Sequence, residues 1–283
     1  MRIEVLHVAD CPGTAVLLAR LAALTNVRVE TRLVEDGETA VALGMTGSPT
    51  ILVDGRDPFA AGSGPSLSCR LYRDGSGSPS VSELGALVDG TSARARRLPE
   101  ELRGRHRLIL GAFVATGRAP DREWLREHGI SAEDLRRLST EDLVRLDEAG
   151  GIAVAYPFSG RPTAHRVRLE GRPEVWAMCA IDALGIPLMT RRDGVIESWD
   201  ALTGVPIRVS MDAWEPAGVV VLVARSAGGG PTSCCACPHM NFHASAESAR
   251  SYLDGHDGLS GQVLDQATAV ELADLCFGSL LEV

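Results

Sequence analysis

The sequence predicts a multidomain protein of mixed α/β and α+β type, and three observations support this fold class. The chain has 283 residues, which is enough for about two domains of ordinary size. Hydrophobic residues make up 45% and charged residues 23% of it, as expected for a globular protein with a buried core. Strand-like and helix-like patterns alternate at the start, helical patterns dominate the middle, and both occur at the end. We therefore expect three parts, residues 1–88, 99–170 and 171–283, with residues 89–98 as a small, polar linker.

Residues 1–88 follow the order strand, cysteine turn, helix, strand, strand, helix. The patterns place strands at residues 2–8, 27–34 and 48–55 and helices at residues 14–24 and 81–88. Cys11 lies in the first turn, and Pro49 leads into the third strand. This order resembles the thioredoxin fold, in which a proline, often cis, faces the cysteine turn. The resemblance implies a thioredoxin-like N-terminal domain.

The cysteine turn departs from that fold at one position. It has the sequence Cys-Pro-Gly-Thr, whereas a dithiol oxidoreductase requires Cys-x-x-Cys. Cys69 pairs with Cys11 only if the fold brings the two together. Cys11 is therefore either a turn residue without chemistry or a thiol that captures or relays a metal, and a redox function of this domain is disfavoured.

Residues 99–170 are predicted to form helices followed by a β-ribbon, a winged-helix-like arrangement. We expect helices at residues 99–116, 121–128, 131–138 and 141–148 and extended segments at residues 152–157 and 165–169. A recognition helix for DNA presents basic and amide side chains, but residues 139–148 are rich in acidic ones. The formal net charge of −9 also disfavours nucleic acid and anionic membranes as partners. We expect a scaffold role for this module.

The sequence favours a cytoplasmic protein with reduced thiols. Residues 1–10 contain Glu4, His7 and Asp10 and so lack the apolar centre of a signal peptide. The longest apolar run, residues 217–224, is shorter than the ~20 residues that span a bilayer. Seven cysteines, an odd number, favour metal binding or catalysis over a disulfide framework.

Two motifs in residues 171–283 contain the groups suited to chemistry. Residues 173–184 are predicted to form a helix, so Cys179 and Asp182 are expected on one face of it. A carboxylate in such an apolar segment is costly to desolvate and therefore indicates a site. The second motif begins at Cys237, after a loop rich in glycine and cysteine. Two soft sulfurs and a proton donor suit a thiophilic metal whose bond to carbon is protonated. The remaining predicted elements are strands at residues 195–199, 205–211 and 219–224 and helices at residues 245–253 and 267–281.

The cysteine cluster also has a structural interpretation. Cys234 and Cys237 have the spacing of a zinc knuckle, and His239 and His243 are four residues apart. A second Cys-x-x-Cys pair is missing from the sequence, and Cys276 is isolated. A structural zinc site formed by the first four residues remains an alternative.

The order of three motifs resembles that of the organomercurial (alkylmercury) lyase family. They are Trp-x-x-Cys-Ala-x-Asp-Ala-Leu, then Thr-Gly-x-Pro, then Cys-x-His-x-x-Phe-x-Ala-Ser, and the resemblance covers roughly residues 99–283. It implies that residues 171–283 form an alkylmercury-lyase-like α+β catalytic core. It also implies that Cys179 and Cys237 are the catalytic cysteines, which bind the mercury, and that Asp182 is the catalytic aspartate.

The chain differs from the family pattern at a few positions. Cys234 or Cys235 takes the role of the second catalytic cysteine only if the loop contains an insertion, and either is a further candidate mercury ligand. Many lyases carry a third, structural cysteine before the hairpin turn, where this chain has Asp200. Family members often have a histidine and an aromatic residue where this chain has Asn241 and His243. These differences leave the preference between alkyl and aryl substrates open.

The resemblance implies cleavage of the carbon–mercury bond of a small organomercurial, R–Hg⁺, by protonolysis. R–H is released, and Hg²⁺ stays on the two sulfurs as bound product. No resident cofactor is expected, low-molecular-weight thiols are needed for turnover, and Hg²⁺ is passed to a mercuric reductase or to cellular thiols. The competing hypothesis is a non-catalytic protein that binds mercury or zinc through the cysteine cluster and tolerates Asp182→Asn.

Overall fold

The computed structural model describes residues 2–24, 28–60, 64–72, 75–80, 83–84, 91–210, 212–226 and 232–282. These residues form a mixed α/β structure in which helices pack against four sheets, which confirms the predicted mixture of helices and strands. Within these ranges, every helix is too short or too polar to cross a membrane.

The N-terminal part is built around a short three-stranded sheet. Its elements are β1 (Ile3–His7), α1 (Pro12–Leu24), β2 (Val29–Leu33), α2 (Gly37–Leu43), β3 (Thr46–Ser48), β4 (Thr50–Val53) and β5 (Ser66–Cys69). Strand β1 lies in the centre, parallel to β2 and antiparallel to β4. The peptide between Ser48 and Pro49, which precedes β4, is cis.

The predicted strands and first helix of this part are confirmed, whereas α2 was not predicted. Asp36 caps α2 by accepting a hydrogen bond from the Thr39 N–H, and Gly44 ends it in the left-handed region at φ 69°. The helix predicted at residues 81–88 lies largely outside the described residues. The thioredoxin-like assignment stays a prediction.

The middle part contains four helices and then the first strands of a large sheet. They are α3 (Thr91–Arg97), α4 (Glu100–Thr116), α5 (Arg122–Glu127), α6 (Ala132–Thr140), β6 (Val144–Leu146), β7 (Ile152–Ala155), β8 (Phe158–Ser159) and β9 (His165–Leu169). The predicted helices up to α6 are confirmed, and Ser131 caps α6 in a reciprocal capping box with Asp134. Residues 91–97 of the predicted linker are helical.

The helix predicted at residues 141–148 is wrong. Asp142 adopts the left-handed conformation at φ 51°, which stops the helical path directly after α6. Val144 then pairs with Ala155 in the β6–β7 ribbon. Strand pairing therefore outweighs the helical pattern of this acidic segment.

The last part completes the large sheet and adds a second one. Its elements are β10 (Val175–Ala177), α7 (Ala180–Thr190), β11 (Gly194–Trp199), β12 (Pro206–Val209), β13 (Trp214–Glu215), β14 (Val220–Ser226), α8 (Thr232–Cys235), β15 (Asn241–His243), α9 (Ala246–Asp254), β16 (Leu259–Leu264) and α10 (Gln266–Phe277). A single 3₁₀ turn, Cys237–His239, lies between α8 and β15. The predicted hairpin, buried strand and two final helices are confirmed.

The large sheet has the strand order β13-β12-β11-β9-β10-β8-β7-β6, and the second has the order β15-β14-β16. Because β9 pairs with β10, the large sheet runs across the predicted boundary at residues 170 and 171. The division into domains stays a prediction.

One large apolar core and two smaller clusters join the helices to the sheets. Helix α7 packs against α10, where Gly185 allows a close approach: a Cβ at this position would lie 2.4 Å from the ring of Phe277. Helix α1 packs against β14 and β16, and its buried residues Leu17 and Leu21 belong to the same core. The N-terminal part is therefore docked on the sheet β15-β14-β16, whose central strand precedes the cysteine cluster in the chain.

Candidate active site

Cys179 lies at the N-terminal end of α7, so the helix predicted at residues 173–184 is wrong in its first half. Residues 175–177 form β10, which pairs with β8 and β9 in the large sheet. Cys179 itself is extended (φ −152°, ψ 178°) and is the N-cap residue of α7. Pairing in the sheet therefore makes residues 175–177 a strand, although the spacing of the apolar residues predicts a helix.

The helix start brings Cys179 and Asp182 together through a capping contact. The backbone N–H of Asp182 donates a hydrogen bond to the Cys179 Sγ at 3.4 Å. Asp182 is the third residue of the helix, the position from which an acidic side chain reaches back toward the cap. Thiol and carboxyl are close, as predicted, but by capping geometry instead of a shared helix face.

Backbone hydrogen bonds hold the second motif against the first. The Ala180 N–H donates to the carbonyl of Met240 at 2.8 Å, and the Met240 N–H donates to that of Cys237 at 3.2 Å. Strand β15 follows directly and pairs with β14, which fixes the end of the turn that contains Cys237. The turn is thereby attached to the first residue of α7.

The three side chains meet in the protein interior. One ligand atom each of Cys179, Asp182 and Cys237 lies within 4.8 Å of the others. The Cys237 thiol is directed at Asp182 Oδ2 at 3.8 Å. Cys179 and Cys237 are 2% exposed and Asp182 is 3% exposed. In the described part of the chain, this is the one group of three cysteine, histidine or acidic side chains close enough to share a metal ion.

Burial controls the protonation of this site. Removal from water raises the pKa of Asp182 to about 7, although both thiols act to lower it by hydrogen bonding. Burial also raises the pKa of the Cys179 thiol well above its usual range, and the neighbouring Cys237 and Asp182 raise it further. At Cys237, the contact with Cys179 acts to lower the pKa, but burial and the charge of Asp182 together outweigh it and raise the pKa. The resting site therefore favours neutral thiols, whereas Asp182 gains and loses its proton near neutral pH.

Cys234 and Cys235 lie outside this group. Both are on α8, where their sulfurs are 3.0 Å apart; Cys234 is exposed and Cys235 is half-buried. The zinc site predicted from Cys234, Cys237, His239 and His243 is not assembled in the described residues. Cys237 faces Asp182, whereas His239 contacts Tyr252 and the buried His243 contacts Ser248.

Asp200, which the family resemblance aligns with a third cysteine of many lyases, is a buried structural anion. It accepts hydrogen bonds from the backbone of Leu202, Thr203 and Ala244 and from the hydroxyl of Ser248, at 2.7–2.8 Å. These donors outweigh the effect of burial and lower its pKa to about 2. The carboxylate thereby ties the β11–β12 turn to the start of α9.

Tyr156 borders the site, although no sequence motif indicated it. Its side chain is 2% exposed, and its hydroxyl lies beside the side chain of Ser233, which acts to lower its pKa. Burial raises its pKa, and negative charge at Cys237 raises it further. The adjoining Pro157 carbonyl accepts the Met178 N–H at 3.3 Å, next to Cys179. The pairing of β8 with β10 places Tyr156 next to the site. This pairing is not visible in the sequence.

The remaining cysteines are separate from the site. Cys11 precedes α1, and although burial acts to raise its pKa, hydrogen bonds with Ser48 and Thr14 lower it overall. Cys69 lies exposed on β5, and the two are not joined by a disulfide. Burial raises the pKa of Cys276, on α10, to about 12.

Two buried thiols beside a carboxyl group with a raised pKa, on a mixed α/β fold, offer the ligands that a soft metal prefers. The family model described as MerB, alkylmercury lyase, matches residues 158–278. The alkylmercury lyase of Bacillus cereus is 30% identical over 153 residues, which cover 52% of this chain and 68% of the relative. The alkylmercury lyase of Streptomyces lividans is 24% identical over 170 residues, which cover 51% and 79%. The chain therefore belongs to the alkylmercury lyase family.

A solved structure, described as "Crystal structure of the mercury-bound form of MerB2", shows the same fold. It superposes with a TM-score of 0.57 at 20% sequence identity and corresponds to 71% of this chain and 100% of that chain. The part in common is larger than the 121 residues matched by the family model, and the predicted family resemblance is confirmed.

Proposed function

We propose that this protein is an organomercurial lyase that cleaves the carbon–mercury bond of R–Hg⁺ by protonolysis. The observation that carries the proposal is the convergence of Cys179, Asp182 and Cys237 within 4.8 Å in the protein interior. Membership in the alkylmercury lyase family supports the same activity. Thiolates are the ligands that soft metals prefer, and the carboxyl group supplies a proton donor beside them.

Substrate binding exchanges thiol protons for mercury. Cys179 binds R–Hg⁺ and releases its thiol proton, because the thiolate is the ligand form of cysteine. Cys237 then binds the same mercury, and its proton passes to Asp182, whose Oδ2 lies 3.8 Å from the Cys237 sulfur. Two sulfurs now increase the electron density on the bound carbon, and Asp182 is protonated.

Asp182 delivers that proton to the carbon, the carbon–mercury bond breaks, and its electron pair forms the new C–H bond. The sum is R–Hg⁺ plus two thiols giving R–H, Hg²⁺ held by two thiolates, and one proton released to solvent. No electron leaves or enters the protein. A pKa of about 7 suits a group that must both accept and donate a proton near neutral pH.

Turnover requires other sulfurs to remove the product. Low-molecular-weight thiols, or the thiols of a mercuric reductase, take Hg²⁺ from Cys179 and Cys237. We propose no resident cofactor, since the two thiols and the carboxyl group supply every group in the sequence of steps. All seven cysteines are present as thiols without disulfides, which supports a reducing, cytoplasmic location.

The proposal extends to the other two parts of the chain. The strand order β2-β1-β4, with β1 parallel to β2 and antiparallel to β4, supports a thioredoxin-like N-terminal domain. The helices α4–α6 followed by the β6–β7 ribbon support a winged-helix-like module.

One assay tests the proposed activity. The protein is incubated with phenylmercury and excess low-molecular-weight thiol, and benzene is measured. We expect several benzene molecules per protein from the unchanged chain and from C69S, which replaces an exposed cysteine on β5. C179S is expected to release none, because its hydroxyl is a poor ligand for mercury. Near-normal turnover by C179S contradicts the assignment, whereas stoichiometric binding without benzene from the unchanged chain indicates a metal-binding protein instead.

A further inference from the structure

Two adjacent thiols shortly precede the buried Cys237 along the chain. The sulfurs of Cys234 and Cys235 are 3.0 Å apart on α8, with Cys234 exposed and Cys235 half-buried. Neither belongs to the group formed by Cys179, Asp182 and Cys237. Two thiols on neighbouring residues offer a soft metal a second pair of the ligands that it prefers.

The residues around Cys234 and Cys235 connect this pair to the turn that holds Cys237. Only Ala236 separates Cys235 from Cys237, and the Ala236 carbonyl accepts the His239 N–H at 2.8 Å in the turn that holds Cys237. The Arg145 side chain donates to the Ser233 hydroxyl at 3.3 Å, which attaches α8 to strand β6. Exposure thus increases stepwise along four residues, from buried Cys237 through Cys235 to Cys234.

The product of the proposed reaction needs such a path. Hg²⁺ on Cys179 and Cys237 lies on sulfurs that are 2% exposed, where a thiol from solution has little access. Exchange between thiolate ligands requires an incoming sulfur to reach the metal. A sulfur tethered nearby has an effective concentration of roughly millimolar, above that of a dilute external thiol.

We propose that Cys234 and Cys235 form a relay that takes Hg²⁺ from Cys179 and Cys237 and presents it to thiols in solution. The relay rests on the proposed lyase function for the origin of the metal. Two Hg–S bonds to the buried sulfurs break and two to the relay sulfurs form, while two protons pass from the relay thiols to the buried thiolates. No oxidation or reduction is involved.

The double variant C234S/C235S tests the relay, with C69S as the matched control. With one equivalent of phenylmercury, we expect benzene release by the double variant to be unchanged. With excess substrate and external thiol near 0.1 mM, we expect one benzene per protein in a burst and then turnover slowed by about tenfold, because the tethered sulfurs are missing. The control is expected to match the unchanged chain in both experiments.

A second measurement separates the relay from the lyase reaction. The protein is loaded with inorganic Hg²⁺ alone, and transfer to a chromogenic dithiol is followed over time. Slower transfer from the double variant supports the relay even if phenylmercury yields no benzene, an outcome that would contradict only the lyase function. The relay is overturned if the double variant equals the unchanged chain in both Hg²⁺ transfer and turnover. It is also overturned if the double variant cleaves phenylmercury more slowly in a single turnover, because the pair then acts in bond breaking. Should the double variant not fold, the exposed substitution C234S alone is measured in the same way.

Discussion

Asp182 and Asp200 are both buried, with 3% and 1% of their surface exposed. Their pKa values are nevertheless shifted from the ordinary aspartate value in opposite directions. Four strong donors surround Asp200, and its pKa is lowered to about 2. Asp182 has mainly thiols beside it, and burial raises its pKa to about 7. The comparison shows that the supply of hydrogen-bond donors, and not burial alone, decides whether a buried carboxyl group remains an anion or becomes a proton carrier.

The largest expected effect concerns proton delivery by Asp182. Asp182→Asn keeps the shape of the side chain but removes its transferable proton. We expect the rate of benzene release in a single turnover to fall by about 10²–10⁴, the usual contribution of a general acid. Binding of inorganic Hg²⁺, measured by titration, should persist because both thiols remain. A rate near that of the unchanged chain contradicts the assigned role.

Removal of the structural anion should have the next largest effect. Asp200→Ala leaves the N–H groups of Leu202, Thr203 and Ala244 without their acceptor, and we expect a loss of about 3 kcal/mol in the free energy of unfolding. Urea denaturation at pH 7 measures it. Asp212→Ala, at an exposed position, is the control and should change stability by less than about 0.5 kcal/mol.

The contribution of Asp200 to stability should also depend on pH. Its pKa is lower in the folded chain, so this contribution is complete above the ordinary aspartate pKa of 3.8 and is lost as the pH falls toward about 2. If Asp200→Ala destabilises the protein as much at pH 2 as at pH 7, the structural anion is misassigned.

Asp182 should show the opposite dependence. Because its pKa is raised in the folded chain, the carboxyl group destabilises the protein increasingly as the pH rises from 3.8 to about 7. Asp182→Asn should therefore increase the free energy of unfolding by about 2 kcal/mol at pH 8, and the gain should shrink at pH 4. Parallel urea titrations at the two pH values measure this. An equal effect at both contradicts the raised pKa.

The smallest expected effect concerns Tyr156. Its buried hydroxyl lies beside Ser233 and near Cys237, where it is suited to stabilise the thiolate as mercury binds. We expect Tyr156→Phe to slow benzene release by about tenfold, or ~1.4 kcal/mol, with little loss of stability. If the variant also leaves the rate of thiol alkylation and the rate of cleavage unchanged, Tyr156 has only a packing role.

Local signals in the sequence predicted many of the element ends. Ser131 and Ser245 are N-cap residues where small hydroxyl side chains precede helical patterns. The hairpin of β11 and β12 follows from its turn and from alternating apolar residues. The selection of Cys237 among three neighbouring cysteines came from the family resemblance, and the structure brings this residue to Cys179.

Contacts between distant segments were not predictable in this way. The short apolar run of residues 175–178 fits either a helix or a strand, and pairing with β8 and β9 selects the strand. The Asp200 network joins residues 44 positions apart along the chain. The proximity of Tyr156 to the site depends on the same sheet.

The position of Cys179 at a helix start has a genetic consequence. Serine is among the residues best suited to cap a helix, so replacing the sulfur with oxygen should leave α7 intact. Cysteine and serine codons differ by one nucleotide. A single point mutation is thus expected to yield a folded chain that no longer binds mercury at this position, because the cap and the metal ligand are the same atom. Under the proposed function, we therefore expect selection by organomercurials, and not the requirement to fold, to maintain the thiol.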